Sequence, residues 1–143
     1  MNFISILAGL LALSASLVSP HATAVESPAA KERLVIQVSD ADPGKWNLAL
    51  NNAKNVQQAE GAGNVDVEIV TYGPGIGMLK KDSVVGNRIA ESKQAGIKIV
   101  ACQNTMRGMK LTNADMLPDT SYVPSGAVEI MKKQKEGYSY LRP

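Results

Sequence analysis

Cys102 is the one thiol in the sequence. It ends the apolar run Ile97–Ala101 and precedes the polar turn Gln103-Asn104-Thr105, with the cations Arg107 and Lys110 a few residues on. A thiol becomes a nucleophile when helix N–H groups or nearby positive charge stabilise its thiolate. A short helix opening at Gln103 would aim free N–H groups at the sulfur, and Arg107 and Lys110 would add positive potential. The competing reading is a small hydrophobe packed at a strand end, a common state for unpaired cysteine. Residue types alone leave both readings open.

The stretch Tyr72-Gly73-Pro74-Gly75-Ile76-Gly77 is the second candidate. Successive glycines after a strand can present backbone N–H groups to an anion. The stretch has neither G-x-G-x-x-G spacing nor a Lys-Ser/Thr ending, which argues against nucleotide binding. A glycine turn without a ligand is the alternative. Tyr72, this loop and Cys102 all fall at strand carboxyl ends, where open α/β sheets place their ligands. Asp40 and Asp42 also sit at a strand end, but Asp42 suits a helix cap and no histidine lies nearby to complete a metal site. No metal and no cofactor is therefore assigned. Tyr122, Tyr138 and Tyr140 read as core or interface residues.

These groups need a scaffold, and the chain supplies strands alternating with helices. Leu34–Ser39 reads as a first strand; Asp42 caps and Pro43 opens a helix to about Glu60, with Trp46, Leu50, Ala53 and Val56 facing inward. Val65–Tyr72 is a second strand, Ser83 caps a helix ending at Gly96, and Ile97–Cys102 is the third strand. Gln103–Met109 is a short helix or turn, and Thr112–Asp115 resembles a capping box. Tyr122-Val123 is a fourth strand. Ser125–Glu136 is a helix with Ala127, Ile130, Met131 and Gln134 on one stripe, and Tyr138–Leu141 is the last strand. The class is α/β: a three-layer sandwich around a mostly parallel sheet of five strands, with flavodoxin- or Rossmann-like topology.

The first residues read as an address rather than as fold. Phe3–Val18 is apolar and Leu/Ala-rich, and Ala22-Thr23-Ala24 supplies a small-residue cleavage site. Residues 1–24 are thus expected to be a signal peptide cut after Ala24, placing the rest in the periplasm or outside the cell. No Lys or Arg precedes the apolar core, so an uncleaved anchor is the alternative. Residues 25–33 read as a polar tether and 34–143 as one domain. Cleavage also removes His21, the one histidine, and with it any imidazole base for a Ser-His-Asp or Cys-His hydrolase. A net charge of +2 without a basic run gives no case for nucleic acid. A single cysteine cannot form an internal disulfide.

The order VIQVSD, VDVEIVTYGPGI, IKIVACQNTM and VPSGAVEIMKKQKEGYSYLRP resembles the DsrE/DsrF-like family over about Leu34 to Pro143, most closely its exported single-domain branch. The Ala-Cys-x-Asn-Thr-Met segment and the Ser-Gly-x-Val-Glu…Gln-x-x-Gly-Tyr-x-Tyr ending carry most of the likeness. The resemblance implies five strands with helices on both faces and assembly into trimers or hexamers. In cytoplasmic sulfur-relay members a cysteine carries sulfur as a persulfide, and Cys102 stands at a cysteine position found in the family. Tyr72, Gly73, Gly75, Asn104 and Arg107 are then expected around it. The function expected on these grounds is sulfur handling on Cys102, with a donor or acceptor protein as partner and no membrane contact after cleavage. The alternative is a non-catalytic oligomeric small-ligand-binding or adaptor protein in which Cys102 is structural.

Overall fold

The computed structural model describes residues 31–143; the signal-peptide reading lies outside them. Five strands and four helices alternate: β1 (Glu32–Val38), α1 (Pro43–Glu60), β2 (Val65–Thr71), α2 (Gly86–Gln94), β3 (Lys98–Cys102), α3 (Gln103–Gly108), β4 (Ser121–Val123), α4 (Gly126–Lys135) and β5 (Ser139–Leu141). Two 3-10 segments, Gly73–Leu79 and Asn113–Asp115, lie between them. The strands form one sheet in the order β4-β3-β2-β1-β5, and all four pairings are parallel. The expected α/β sandwich is the observed fold, with the sheet wholly rather than mostly parallel.

The order explains the layering. From β1 to β4 each strand is laid beside the last in one direction, and α1, α2 and Met106 of α3 pack on one face. The chain then returns to β5 on the far side of β1, and this reversal places α4 on the other face. The first face is deep: Ile36, Leu50, Ile69, Ile76, Met78 and Ile99 are all buried there. The second is thin, made by Val35, Val70, Val100, Val123 and Ile130, with Tyr72 and Tyr138 half-buried against them. β2 lies mid-sheet under both layers, so its residues are buried almost continuously instead of alternating.

Local signals set most boundaries. The Asp42 carboxylate accepts the Gly44 N–H at 2.8 Å and Pro43 takes the first helical position, so α1 starts where its cap dictates. The Thr112–Asp115 capping box forms, but on a single 3-10 turn. Four expectations need correction. Glu32 and Arg33 belong to β1 and not to a tether, because their backbones pair with Val65 and Asp66 of β2. Val56 is only half-buried on α1; Ala49 and Gln57 complete the inward stripe, and Gln57 is held by the Ala95 carbonyl at 2.9 Å. Ser83 does not cap α2: it closes a turn with Gly86, and the helix opens two residues later behind Val85. Of the stripe Ala127, Ile130, Met131 and Gln134 only Ile130 is buried, because one helix on a thin face can bury only a single stripe, here Gly126 and Ile130.

Candidate functional site

Cys102 is the last residue of β3, and its register partner on β4 is Val123. The connections leaving these two neighbouring strands part here: α3 leads towards the deep layer and α4 packs on the thin one. A divergence of this kind opens a crevice at the carboxyl edge, the usual ligand position in open α/β sheets. Cys102 lies buried at that edge, on the α4 side of the sheet, as the N-cap of α3.

Its sulfur accepts the Thr105 N–H at 3.4 Å. Burial pushes the Cys102 thiol up, but hydrogen bonding from the Thr105 hydroxyl and from the N–H groups of Thr105, Gly126 and Asn104 outweighs it and holds the thiol below its ordinary value. The donors come from both diverging helices: Thr105 and Asn104 from α3, Gly126 from the first turn of α4. The Asn104 N–H donates to the Pro124 carbonyl at 3.2 Å, which ties α3 to the end of β4. Neither Arg107 nor Lys110 is among the main causes of this lowering. The Arg107 guanidinium instead donates to the Asn104 side-chain oxygen at 3.2 Å on the exposed side of α3. The cradle is thus made of dipoles, not of the formal charges the sequence suggested.

Thr105 links the sulfur to the glycine loop. Its hydroxyl oxygen accepts the Gly73 N–H at 2.9 Å. Gly73 turns the chain at φ +52°, where a side chain would be strained. Gly75 serves a close approach: a Cβ there would stand 2.2 Å from the Val38 carbonyl oxygen, so the loop can cross the end of β1 only as glycine. Its N–H donates to the Tyr72 carbonyl at 3.1 Å. The Gly73 and Gly75 amides are therefore engaged within the protein and do not form the open anion nest the glycine spacing suggested. Tyr72 lies half-buried against Gly126, where a Cβ would meet the Tyr72 Cβ and Cδ1 at 2.9 Å.

Of the residues expected at the site, Cys102, Tyr72, Gly73 and Asn104 are joined in one network through Thr105 and Gly126. Gly75 shapes the loop, and Arg107 lies outside the sulfur's contacts. Thr105 and Gly126 are the residues sequence reasoning assigned no role. The spacing Cys-x-x-Thr carried a signal for the first, since it puts the threonine at the third position of a cysteine-capped helix. Asp40 and Asp42 do different work: Asp42 caps α1, while Asp40 pairs with Lys45 at 3.2 Å and Arg142 at 3.4 Å.

No functionally curated protein matches the chain. Among solved structures it is similar to the protein of unknown function MTH1491 from Methanobacterium thermoautotrophicum, at 29 % identity and TM-score 0.75, covering 79 % of this chain and all of that one. The protein of unknown function BT1422 from Bacteroides thetaiotaomicron shares the fold at 19 % identity and TM-score 0.64, covering 78 % of this chain and 95 % of its own. The DsrE/DsrF-like family matches residues 32–143, the whole sheet and every helix around it. On that match, the chain belongs to the DsrE/DsrF-like family.

Proposed function

We propose that the protein handles sulfane sulfur in the periplasm and carries it as a persulfide on Cys102. Membership of the DsrE/DsrF-like family suggests a sulfur-relay-related role. The observation that carries the reading is a sulfur at a strand carboxyl end that accepts the Thr105 N–H at 3.4 Å, with its thiol held below the ordinary value by neighbouring donors. In the step proposed, the Cys102 thiolate attacks the outer sulfur of a polysulfide or a donor protein's persulfide. One S–S bond forms, the donor's S–S bond breaks, and the donor leaves as a thiolate from a persulfide, or as hydrosulfide or a polysulfide one sulfur shorter from a polysulfide. Negative charge stays on the new terminal sulfur, where hydrogen-bond donors favour it without a cation. The chain has no second cysteine, so discharge needs a thiol on an acceptor molecule.

A homo-oligomer belongs to the same proposal. Val128, Met131 and Tyr140 stand 48 %, 56 % and 44 % exposed on the thin side of the sheet, an apolar surface that a second copy would cover.

One observation favours the second reading, an oligomeric ligand-binding or adaptor protein with a structural cysteine: Cys102 is only 4 % exposed. Intact mass separates the two. Native protein treated with polysulfide should gain one or two sulfur atoms, roughly 32 Da each, lose them to reductant, and show no gain as Cys102→Ala. Labelling that appears only after denaturation would make Cys102 a packing residue and end the carrier reading.

A further inference from the structure

Glu68, in the middle of β2, is 2 % exposed on the face that α4 covers. Its Oε2 accepts Lys98 Nζ of β3 at 3.1 Å and faces Lys133 Nζ of α4 at 3.8 Å. Its Oε1 is buried and has no hydrogen-bond partner among the described residues. A buried carboxylate oxygen without a donor is costly when charged, and both nearby cations already have other claims. Lys133 also pairs with Glu136 at 2.8 Å and Glu129 at 4.0 Å and lies over the Tyr138 ring at 5.0 Å; Lys98 is half in solvent. Glu129, on the same helix as Lys133, sets a second half-buried negative charge beside Glu68. Three carboxylates thus share two ammonium groups beneath the later turns of α4. Arg33 lies at the edge of the cluster, donating to the Glu136 carbonyl at 2.7 Å.

We propose that Glu68 is a proton-operated latch for α4: the neutral acid lets the helix seat on the sheet, and ionisation loosens it. Burial pushes the Glu68 carboxyl up, with the Glu129 charge adding to the rise and Lys98 and Lys133 opposing it. Because the seated state holds the proton more tightly than the hydrated, lifted state, the stabilisation is full at acid pH. It is lost as pH rises from the ordinary carboxylate range through the raised value. The thinness of this layer makes α4 the element that losing this stabilisation can move. The same helix begins with Gly126, whose N–H is one cause of the lowered Cys102 thiol. Loosening α4 would therefore withdraw a donor from the thiol and expose the buried sulfur. Only this consequence rests on Cys102 being the functional thiol.

Hydrogen exchange on the full chain tests the latch directly, with α1 amides in the deep layer as internal reference against the intrinsic pH dependence. Protection of α4 relative to α1 should fall severalfold as pH rises through the window, and stay flat in Glu68→Gln. Glu129→Gln should move the fall to lower pH, because it removes the like charge while leaving Glu68 in place. The same fall in wild type and Glu68→Gln overturns the proposal; should Glu68→Gln not fold, an unmoved profile in Glu129→Gln overturns it. Sulfur loading plays no part in this readout, so failure of the carrier reading and failure of the latch are distinguishable.

Discussion

At the scale of single residues the site turns on Thr105. Its N–H donates to the Cys102 sulfur at 3.4 Å, its hydroxyl is a cause of the lowered thiol, and the Gly73 N–H occupies one lone pair of that hydroxyl. With an acceptor position filled from the loop side, the hydroxyl proton is free to serve the thiolate. Thr105→Val keeps the shape and the backbone donor but removes the hydroxyl. The thiol should then titrate higher, seen as a shift of the thiolate absorbance and of the pH–alkylation curve, whereas Thr105→Ser should return both towards wild type. The Val variant should also lose stability, about 1–3 kcal/mol, because the Gly73 N–H is left without its acceptor. The thiol curve separates the two effects: an unmoved curve in Thr105→Val means the hydroxyl is structural only. The linkage has a definite sign. A thiol lowered by folding contributes stability above its unfolded value and loses it as pH falls through the folded one. That alkaline gain should shrink in Thr105→Val.

At the scale of elements, α4 is the hinge between site and scaffold, and Gly126 sets how closely it approaches. Alanine is the better helix former, by up to about 1 kcal/mol, yet its Cβ would stand 2.9 Å from the Tyr72 side chain. Overpacking of this kind costs about 1–3 kcal/mol, so Gly126→Ala should destabilise the protein and speed Cys102 alkylation as α4 is pushed off. Adding Tyr72→Ala should recover part of the loss in Gly126→Ala, a coupling a double-mutant cycle measures. A Gly126→Ala protein as stable as wild type would mean that the close contact does not constrain α4. This dependence on a tertiary contact explains what the sequence could and could not disclose. Asp42-Pro43, the β-branched strand runs and the terminal glycines are local signals, and the α/β order followed from them. Ser83 is no cap because a turn to Gly86 intervenes before α2, and Ala127, Met131 and Gln134 face outward because the stripe a helix buries is chosen by the layer it meets. Cys102 was legible as a strand-end thiol, but its donors were not: Gly126 lies 24 positions on and arrives only through the return to β5. The two nearby cations drew attention because charge is visible in sequence and dipole direction is not.

For the whole molecule, one sheet carries two layers of unequal depth. Ile69 is fully buried in the deep layer among residues from α1, α2 and the loop after β2, whereas Ile130 is the one buried apolar side chain that α4 contributes to the thin layer. Truncating a well-enclosed isoleucine to alanine costs about 2–5 kcal/mol, and the cost depends on how far the surroundings can relax. Ile69→Ala should therefore lower global stability within that range. Ile130→Ala should cost less overall, because a helix at the surface can shift to close the gap, but its effect should concentrate on α4. Trp46 provides the means to see this, since it is the one tryptophan and sits on α1 in the deep layer, with its indole N–H donating to the Asp40 carbonyl at 2.7 Å. In denaturant, Ile130→Ala should lose helical circular dichroism before the Trp46 fluorescence changes, while Ile69→Ala should lose both together. Coincident transitions in both variants would show that the layers unfold as one unit. The thin layer would then be too well coupled to the deep one for α4 to open alone, and with that the route from Glu68 to the thiol would close.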